Sequence, residues 1–395
     1  MKILHTSDWH LGQNFMGQSR EEEHKAFFSW LLEQIKEQYI DVLIVAGDIF
    51  DTGTPPNYAL ELYFNFLKKL SSISSLTTIL TAGNHDSVTT LNAPKQLLKA
   101  LNIHMITTGD KDENQLIPIY KKNRLQAIIC AVPFLRDTVI RKSMSAESLT
   151  EKETLLNRGI KQHYMNIHKK ALLLARNQNI PIVATGHLTT LGSKSSESER
   201  DIYIGGTLDI GSDFLGKMFN YVALGHLHKN QKVGVNHVRY SGSPLPLSFA
   251  EAQSIKKVNI VNINRHKVDI NILNIPLYRP LLLLKGGLTH IKDELKKVTN
   301  KKTWIEVQIK DDNPFYANQM IRKLAISLEL TLLAVKINKS EQELHSKDFK
   351  VLYLDDLTVN EVFKKRLELE NLESEDLKKE LLLKFREVVE KVENR

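Results

Sequence analysis

Five short apolar runs in this sequence end alike, in one or two small residues and then side chains able to bind a metal. The endings are Asp8 with His10 (SDWH), Asp48 (GDIFD), Asn84-His85-Asp86 (GNHD), His187 (TGH) and His226 with His228 (GHLH). A single histidine near a strand end is ordinarily a satisfied core or surface residue, and a GD or GH pair arises by chance. The conjunction is different: such groups at equivalent strand ends would be costly to bury unpaired, and a metal centre is the simplest compensation. Two aspartates, an asparagine and four histidines, with no usable thiolate, make a mixed oxygen and nitrogen set. Such a set favours Mn, Fe or Zn over calcium or a closed structural zinc. Seven ligands are too many for one ion and suit two, with a carboxylate bridging them. Two ions roughly 3.5–4 Å apart activate a water and hold both the attacking and the leaving oxygen of an in-line displacement at phosphorus.

Strands must aim these groups. KILHTSD, DVLIVAGD, LTTILTAGNHD, LQAIICAVP, PIVATGH and YVALGH read as strands buried on both faces, with helices such as 21–38 and 57–70 between them. That alternation predicts a layered α/β domain, whose ligands bind beyond the carboxyl ends of its strands. In an extended segment residues i and i+2 share a face, so Asp8 and His10 are expected to reach one ion, as are His226 and His228. Trp9, pointing the other way, reads as core packing. Glycines 47, 83, 186 and 225 precede four of the clusters, where the backbone must turn tightly and approach a ligand closely.

The chain of 395 residues has room for two or three domains, and its net charge of +8 leans towards an anionic partner. The lone cysteine, Cys130, excludes an intrachain disulfide and, within LQAIICAVP, reads as a buried core thiol. No apolar stretch approaches the roughly 20 residues needed to span a bilayer. The first apolar run is too short for the core of a signal peptide. A soluble intracellular protein is therefore expected, with no membrane partner. The α/β pattern runs over 1–275. A small α+β domain is predicted over 276–340, with helices near 288–298 and 316–328. A charged helical tail follows over 341–395, where Thr358 and Glu361 form a candidate capping box. Its apolar stripe of Leu377, Leu381, Phe385, Val388 and Val392 needs cover, from its own domain or from a partner helix. The 57–70 helix, apolar almost all round, is either deeply buried or a homodimer seam. SKSSESER (193–200) reads as a flexible loop. GSDFLGKM (211–218) nearly spells a P-loop, but Met218 replaces the hydroxyl and no buried strand leads in, so it reads as a turn and a short helix. No nucleotide is expected to bind this chain.

The order Asp-x-His, GD, GNHD, GH, GHxH resembles the calcineurin-like metallophosphoesterases. The fuller wording (HTSDWHLGQNF, VAGDIFDTGTPPNYA, GNHDSVTTLN, ATGHLTTLG, RDIYIGGTLD, ALGHLHK, RYSGSPLPLSF) resembles the double-strand-break repair nucleases among them. The resemblance implies a β-sandwich flanked by helices (four-layer αββα), a small capping domain that positions DNA, and C-terminal helices. It implies one metal on Asp8, His10, Asp48 and His228 and a second on Asp48, Asn84, His187 and His226. Mn2+ is the implied ion, with Mg2+, Fe2+ or Zn2+ as substitutes. It keeps His85 off the metals, to orient the scissile phosphate or protonate the leaving oxygen, a task suited to imidazole. Asp86 would orient a neighbour or merely cap the surface, and Asp51 stands where archaeal and eukaryotic relatives carry a further histidine. The implied reaction is 3′–5′ exonuclease action on duplex ends and endonuclease cleavage of hairpins and single strands. The implied partners are DNA, an SMC-like ATPase that docks on the terminal helices, and a second copy of the chain through the 57–70 helix together with the helix after Thr90. The implied location is the bacterial cytoplasm, at the nucleoid. The alternatives are a phosphoesterase on small or protein substrates (nucleotidase, cyclic phosphodiesterase or phosphatase), and an interaction protein whose main role is tethering DNA.

Overall fold

Alternate side chains of the first strand, Lys2–Thr6, enter two different cores in the computed structural model. Leu4 packs with the helices Glu21–Glu37 and Asn57–Ser71, whereas Ile3 faces a second sheet. The structure describes residues 1–109, 112–136, 140, 149–176, 178–194, 199, 210–265, 267–311, 313–337, 362–364, 366–367 and 375–393.

The first sheet has six strands in the order Lys267–Asn274, Lys257–Asn264, Lys2–Thr6, Val42–Ala46, Thr77–Thr81, Ile103–Ile106. The last four run parallel. The second orders Gln231–Val233, Val235–Tyr240, Tyr221–Gly225, Ile182–His187, Arg124–Cys130, Leu116–Lys121, with its middle four parallel. Ile44 and Ile79 meet Ile129, Val183 and Ala223 between the sheets, while Cys130, Ala184 and Val222 face Ile160, Tyr164 and Ile167 of the helix Leu149–Leu174. The result is the expected αββα sandwich. A one-residue slip of any central strand would exchange its two cores, and each buried Leu or Ile contributes roughly 1.5–3 kcal/mol against that. The hairpin Lys257–Asn264/Lys267–Asn274 escapes sequence reading because asparagines interrupt its apolar runs. One of them, Asn259, is buried and accepts from Asn230 Nδ2 at 2.9 Å.

The helix Asn57–Ser71 buries Ala59, Tyr63, Phe66, Leu67 and Leu70 and stacks Phe66 on Phe28 at 4.1 Å. Tyr58, Leu60 and Leu62 are only half-buried and Phe64 is 42% exposed, so its outer apolar face is not fully covered by this chain. GSDFLGKM forms the expected short helix, Ser212–Met218, with Phe214 and Met218 packed on the outer core; in place of the expected turn, Gly211 is an extended N-cap bridged to Leu191.

The small domain is not the expected α+β arrangement but a βαβαβ unit of α/β type. Its strands Leu281–Gly286, Trp304–Ile309 and Thr331–Ile337 all run parallel, because the helices Leu288–Lys296 and Pro314–Ser327 carry the chain back between them. Asn313 caps the second helix by accepting from Tyr316 N, with proline in its first turn. Phe15, Phe249, Leu281 and Trp304 form one cluster joining this domain to the sandwich. In the tail, the helix Glu375–Glu393 stacks Phe385 on Phe363 at 3.8 Å and leaves Val388 mostly exposed. Thr358, Glu361, the side chains of Leu377 and Val392, and most of 193–200 lie outside the described residues.

Candidate metal centre

The chain leaves extended geometry before it reaches the metal-capable residues. Asp8, His10, Asp48 and His226 have φ of 53°, 47°, 50° and 94°. Such left-handed backbone costs a non-glycine residue roughly 1–3 kcal/mol and persists where surrounding structure enforces it, typically at functional sites. Left-handed turns, not strand alternation, therefore bring Asp8 and His10 together, which corrects the reasoning from i, i+2 spacing. His226 and His228, by contrast, do not share a group. Ligand-capable atoms of Asp8, His10 and His228 lie within 4.8 Å of one another, and those of Asp48, His187 and His226 form a second such group. The strands contribute from both sheets of the sandwich, so the site straddles their carboxyl edges. Gly47 (φ 88°) lies where a Cβ would overlap the His187 ring, and a Cβ on Gly83 would overlap the Asp48 carboxylate.

Asp48 sits between the two groups. Its Oδ2 is 3.2 Å from His187 Nε2 and 3.7 Å from His10 Nε2. Asn84 Oδ1 is 2.9 Å from His187 Nε2, bringing the asparagine to the second group. Asp8 Oδ1 accepts from His226 N at 2.8 Å, and its Oδ2 accepts from Ser7 Oγ. Histidine orientation is set from behind. His187 Nδ1 donates to Ala46 O at 2.9 Å and His10 Nδ1 to Asp51 Oδ1 at 3.0 Å, which turns each Nε2 inward. His85 Nδ1 donates to Asp51 O at 2.7 Å, and its backbone N–H donates to Asp48 Oδ1 at 3.0 Å. Its ring meets that of His10 edge-on at 4.9 Å, and it falls in a third group with His10 and Asp51.

A cation fits this set. His10 Nε2 is buried with no hydrogen-bond partner among the described residues. His187 Nε2, its other nitrogen already donating, faces the oxygens of Asp48 and Asn84, so three lone-pair atoms converge on one point. The charge balance agrees. Burial opposes protonation of His10, yet Asp51, Asp48 and Asp8 together raise it to about 9. Burial is likewise overcome at His187, which Asp48 and Asp8 raise to about 9. The surrounding carboxylates thus favour a positive charge at these rings, supplied by protons in the metal-free protein or by a divalent ion in their place.

A pH dependence follows with a definite sign. Both rings gain protonation on folding, so they stabilise the metal-free chain fully below the ordinary histidine value of 6.5. That contribution is lost as pH rises through about 9. The melting temperature of chelator-stripped protein is expected to fall between pH 6.5 and 9, and that of Mn-loaded protein to hold. Calorimetry in buffers of different ionisation heat should record proton release on metal binding in the lower part of this window. Equal pH profiles with and without metal would refute the charge exchange.

Sequence reasoning left several residues unassigned. Asp51 orients His10. Asp86 is fully buried and accepts from Ile49 N, Phe50 N and Gly83 N at 3.1, 2.9 and 2.8 Å, tying the GDIFD and GNHD loops together. That placement removes the surface-cap reading. Burial and the neighbouring Asp48 push its carboxyl up to about 6. Arg136 donates to Asp86 O at 2.9 Å. Glu251 and Lys256 form a buried pair behind His228, and only tertiary contact marks them. Against burial, which favours the neutral acid, His228 and Lys256 hold the Glu251 carboxyl well below the usual range.

Comparison with known proteins points the same way. Residues 1–230 match the family described as calcineurin-like phosphoesterase, and residues 277–371 match one described as Type 5 capsule protein repressor C-terminal domain. The chain is 40% identical to SbcD of the Escherichia coli nuclease SbcCD over 383 residues, 94% of each chain. SbcD of Rhodobacter capsulatus is 35% identical over 72% of this chain and 71% of its own. That of Bacillus subtilis is 31% identical over 78% and 79%.

Proposed function

This chain belongs to the SbcD nucleases, within the calcineurin-like phosphoesterases, and from that membership we propose that its substrate is DNA cut at a two-metal centre. It is a hydrolase of phosphodiesters. One ion is assigned to Asp8, His10, Asp48 and His228, the other to Asp48, Asn84, His187 and His226, with Mn2+ as the native metal. The observation that carries this reading is Asp48, whose Oδ2 stands 3.7 Å from His10 Nε2 and 3.2 Å from His187 Nε2, between the two groups. Two bound ions supply an activated water and a clamp on the phosphate oxygens.

The chain's own residues do the rest. Asp51 and Ala46 O fix the ring nitrogens of His10 and His187 so that each Nε2 faces inward. Asp86 holds the GDIFD and GNHD loops in register, which places His85 beside Asp48. His85 donates from Nδ1 to the Asp51 carbonyl and presents Nε2 to the substrate; in its doubly protonated form it hands the Nε2 proton to the departing 3′ oxygen and is left neutral.

The unit over 1–275 carries the nuclease centre, that over 276–340 caps the DNA, and that over 341–395 docks on an SbcC-type SMC-like ATPase. The half-covered outer face of Asn57–Ser71 pairs with a second copy. Duplex ends are degraded 3′–5′, hairpins and single strands are cut endonucleolytically, and the work is done in the cytoplasm at the nucleoid, in end processing, repair and recombination. No described helix is long and apolar enough to cross a membrane.

The test is digestion of hairpin-ended duplex by the purified chain with the ATPase, ATP and Mn2+. Opening and degradation are expected, with cleavage abolished by chelation and restored by Mn2+. Cleavage that persists without divalent metal would overturn the reading. Preference for a cyclic nucleotide or a phosphopeptide over hairpin DNA would overturn the substrate.

A further inference from the structure

The short turn Phe249–Glu251 faces two ways. Phe249 enters the cluster that joins the sandwich to the small domain: its ring is 5.3 Å from Phe15, which stacks on Trp304 at 5.5 Å with 20° between planes. Glu251, two residues on, points at the metal centre. Its Oε1 is 3.7 Å from His228 Nδ1, while its Oε2 accepts from Lys256 Nζ and from Leu247 N. Lys256 Nζ also donates to His228 O at 3.2 Å and Ser243 Oγ at 2.9 Å. Glu251 and Lys256 are both buried, so neither would persist charged without the other. The segment's start is pinned as well. Fully buried Arg20 donates to Pro246 O at 2.7 Å and to Glu23 Oε1 at 3.0 Å. Glu23 also pairs with Arg279, whose guanidinium lies 4.6 Å from the Trp304 ring centre.

Two rings of the centre are held through Nδ1 by hydrogen bonds, His10 to Asp51 and His187 to Ala46 O, and at His228 the Nδ1 faces Glu251 Oε1 at the longer distance of 3.7 Å. We propose that Glu251 is a positioning residue that sets the His228 ring. We further infer that docking of the small domain, through Trp304 and Phe249, sets how tightly the Asp8, His10 and His228 group holds its ion. The inference rests on the two-metal reading above. The three-residue turn joins the two faces directly, with Phe249 in the domain junction and Glu251 beside His228, so it offers the shortest route by which a shift at the junction would reach His228.

The experiment is Mn2+ titration of the metal-stripped full chain, followed by calorimetry and by the EPR signal of bound Mn2+, with thermal melts alongside. The wild-type chain is expected to bind two ions. Glu251→Gln should weaken one site by roughly 10–100-fold and spare the other, and Glu251→Asp should recover part of the loss. Trp304→Leu should weaken the same site, and in the double variant with Glu251→Gln the losses should not add, since both act through one route. Phe249→Leu, which leaves the small domain's own core intact, tests the same cluster, joined through Phe15, should Trp304→Leu fail to fold. Unchanged affinities in Glu251→Gln would overturn the proposal, as would equal weakening of both sites with a lowered melting temperature. Full additivity in the double variant would overturn the role of docking. A wild-type chain that bound no ion would bring down the two-metal reading itself, and this inference with it.

Discussion

Asp48→Ala is expected to reduce Mn-dependent DNA cleavage at least about a thousand-fold, since losing the clamp on the reacting oxygens removes several kcal/mol of transition-state stabilisation. The loss should exceed that of any single histidine ligand, because Asp48 serves both halves of the site. Its Oδ2 lies between His10 and His187, and its Oδ1 accepts the N–H of His85. Removing the carboxylate would also withdraw one of the charges that raise His10, alongside Asp51 and Asp8, and the main charge that raises His187. Bound metal, measured by elemental analysis after gel filtration, should fall below one ion per chain. Asp48→Asn separates shape from charge: its amide oxygen can still accept the N–H of His85, yet it should lose nearly as much activity. Two ions retained and cleavage within roughly ten-fold of wild type (about 1.4 kcal/mol) would show that Asp48 is no bridge.

Which parts of this site were legible in the sequence follows from how local their signals are. Asp8, His10, Asp48, Asn84, His187, His226 and His228 each follow an apolar run directly, so strand and side chain are read together. What spacing alone could not give was the backbone. Left-handed φ at Asp8, His10, Asp48 and His226 is imposed by packing, such as the close approach of Gly47 to His187, and leaves no mark on residue type. For the same reason the pairing of His226 with His228 failed: one residue in the left-handed region redirects everything after it. The groups behind the histidines were hidden differently. Asp51 is 41 residues from His10 in sequence, and Glu251 reaches His228 across a loop, so neither has a periodicity to betray it. The sandwich was readable where strands are purely apolar and not where asparagines enter, as in Lys257–Asn264, since Asn259 meets its partner only in three dimensions.

His85→Leu is expected to lower kcat on DNA by roughly 10²–10⁴-fold while leaving two bound ions and a nearly unchanged KM. His85 belongs to neither the Asp8 nor the Asp48 group, and its ring is fixed to a backbone carbonyl, so its loss should leave the metals in place. The choice between its two possible tasks rests on the leaving group. A DNA 3′ oxygen departs poorly unless protonated, whereas nitrophenolate departs without a proton. If His85 donates that proton, His85→Leu should remain close to wild type on bis(p-nitrophenyl) phosphate while failing on DNA. If it only orients the phosphate, both substrates should suffer alike and KM should rise. The side chain also packs edge-on against His10 at 4.9 Å, so His85→Gln serves as the polar control of similar reach. Loss of an ion in both variants would place His85 among the ligands, with His10 and Asp51, and would refute its role as the acid.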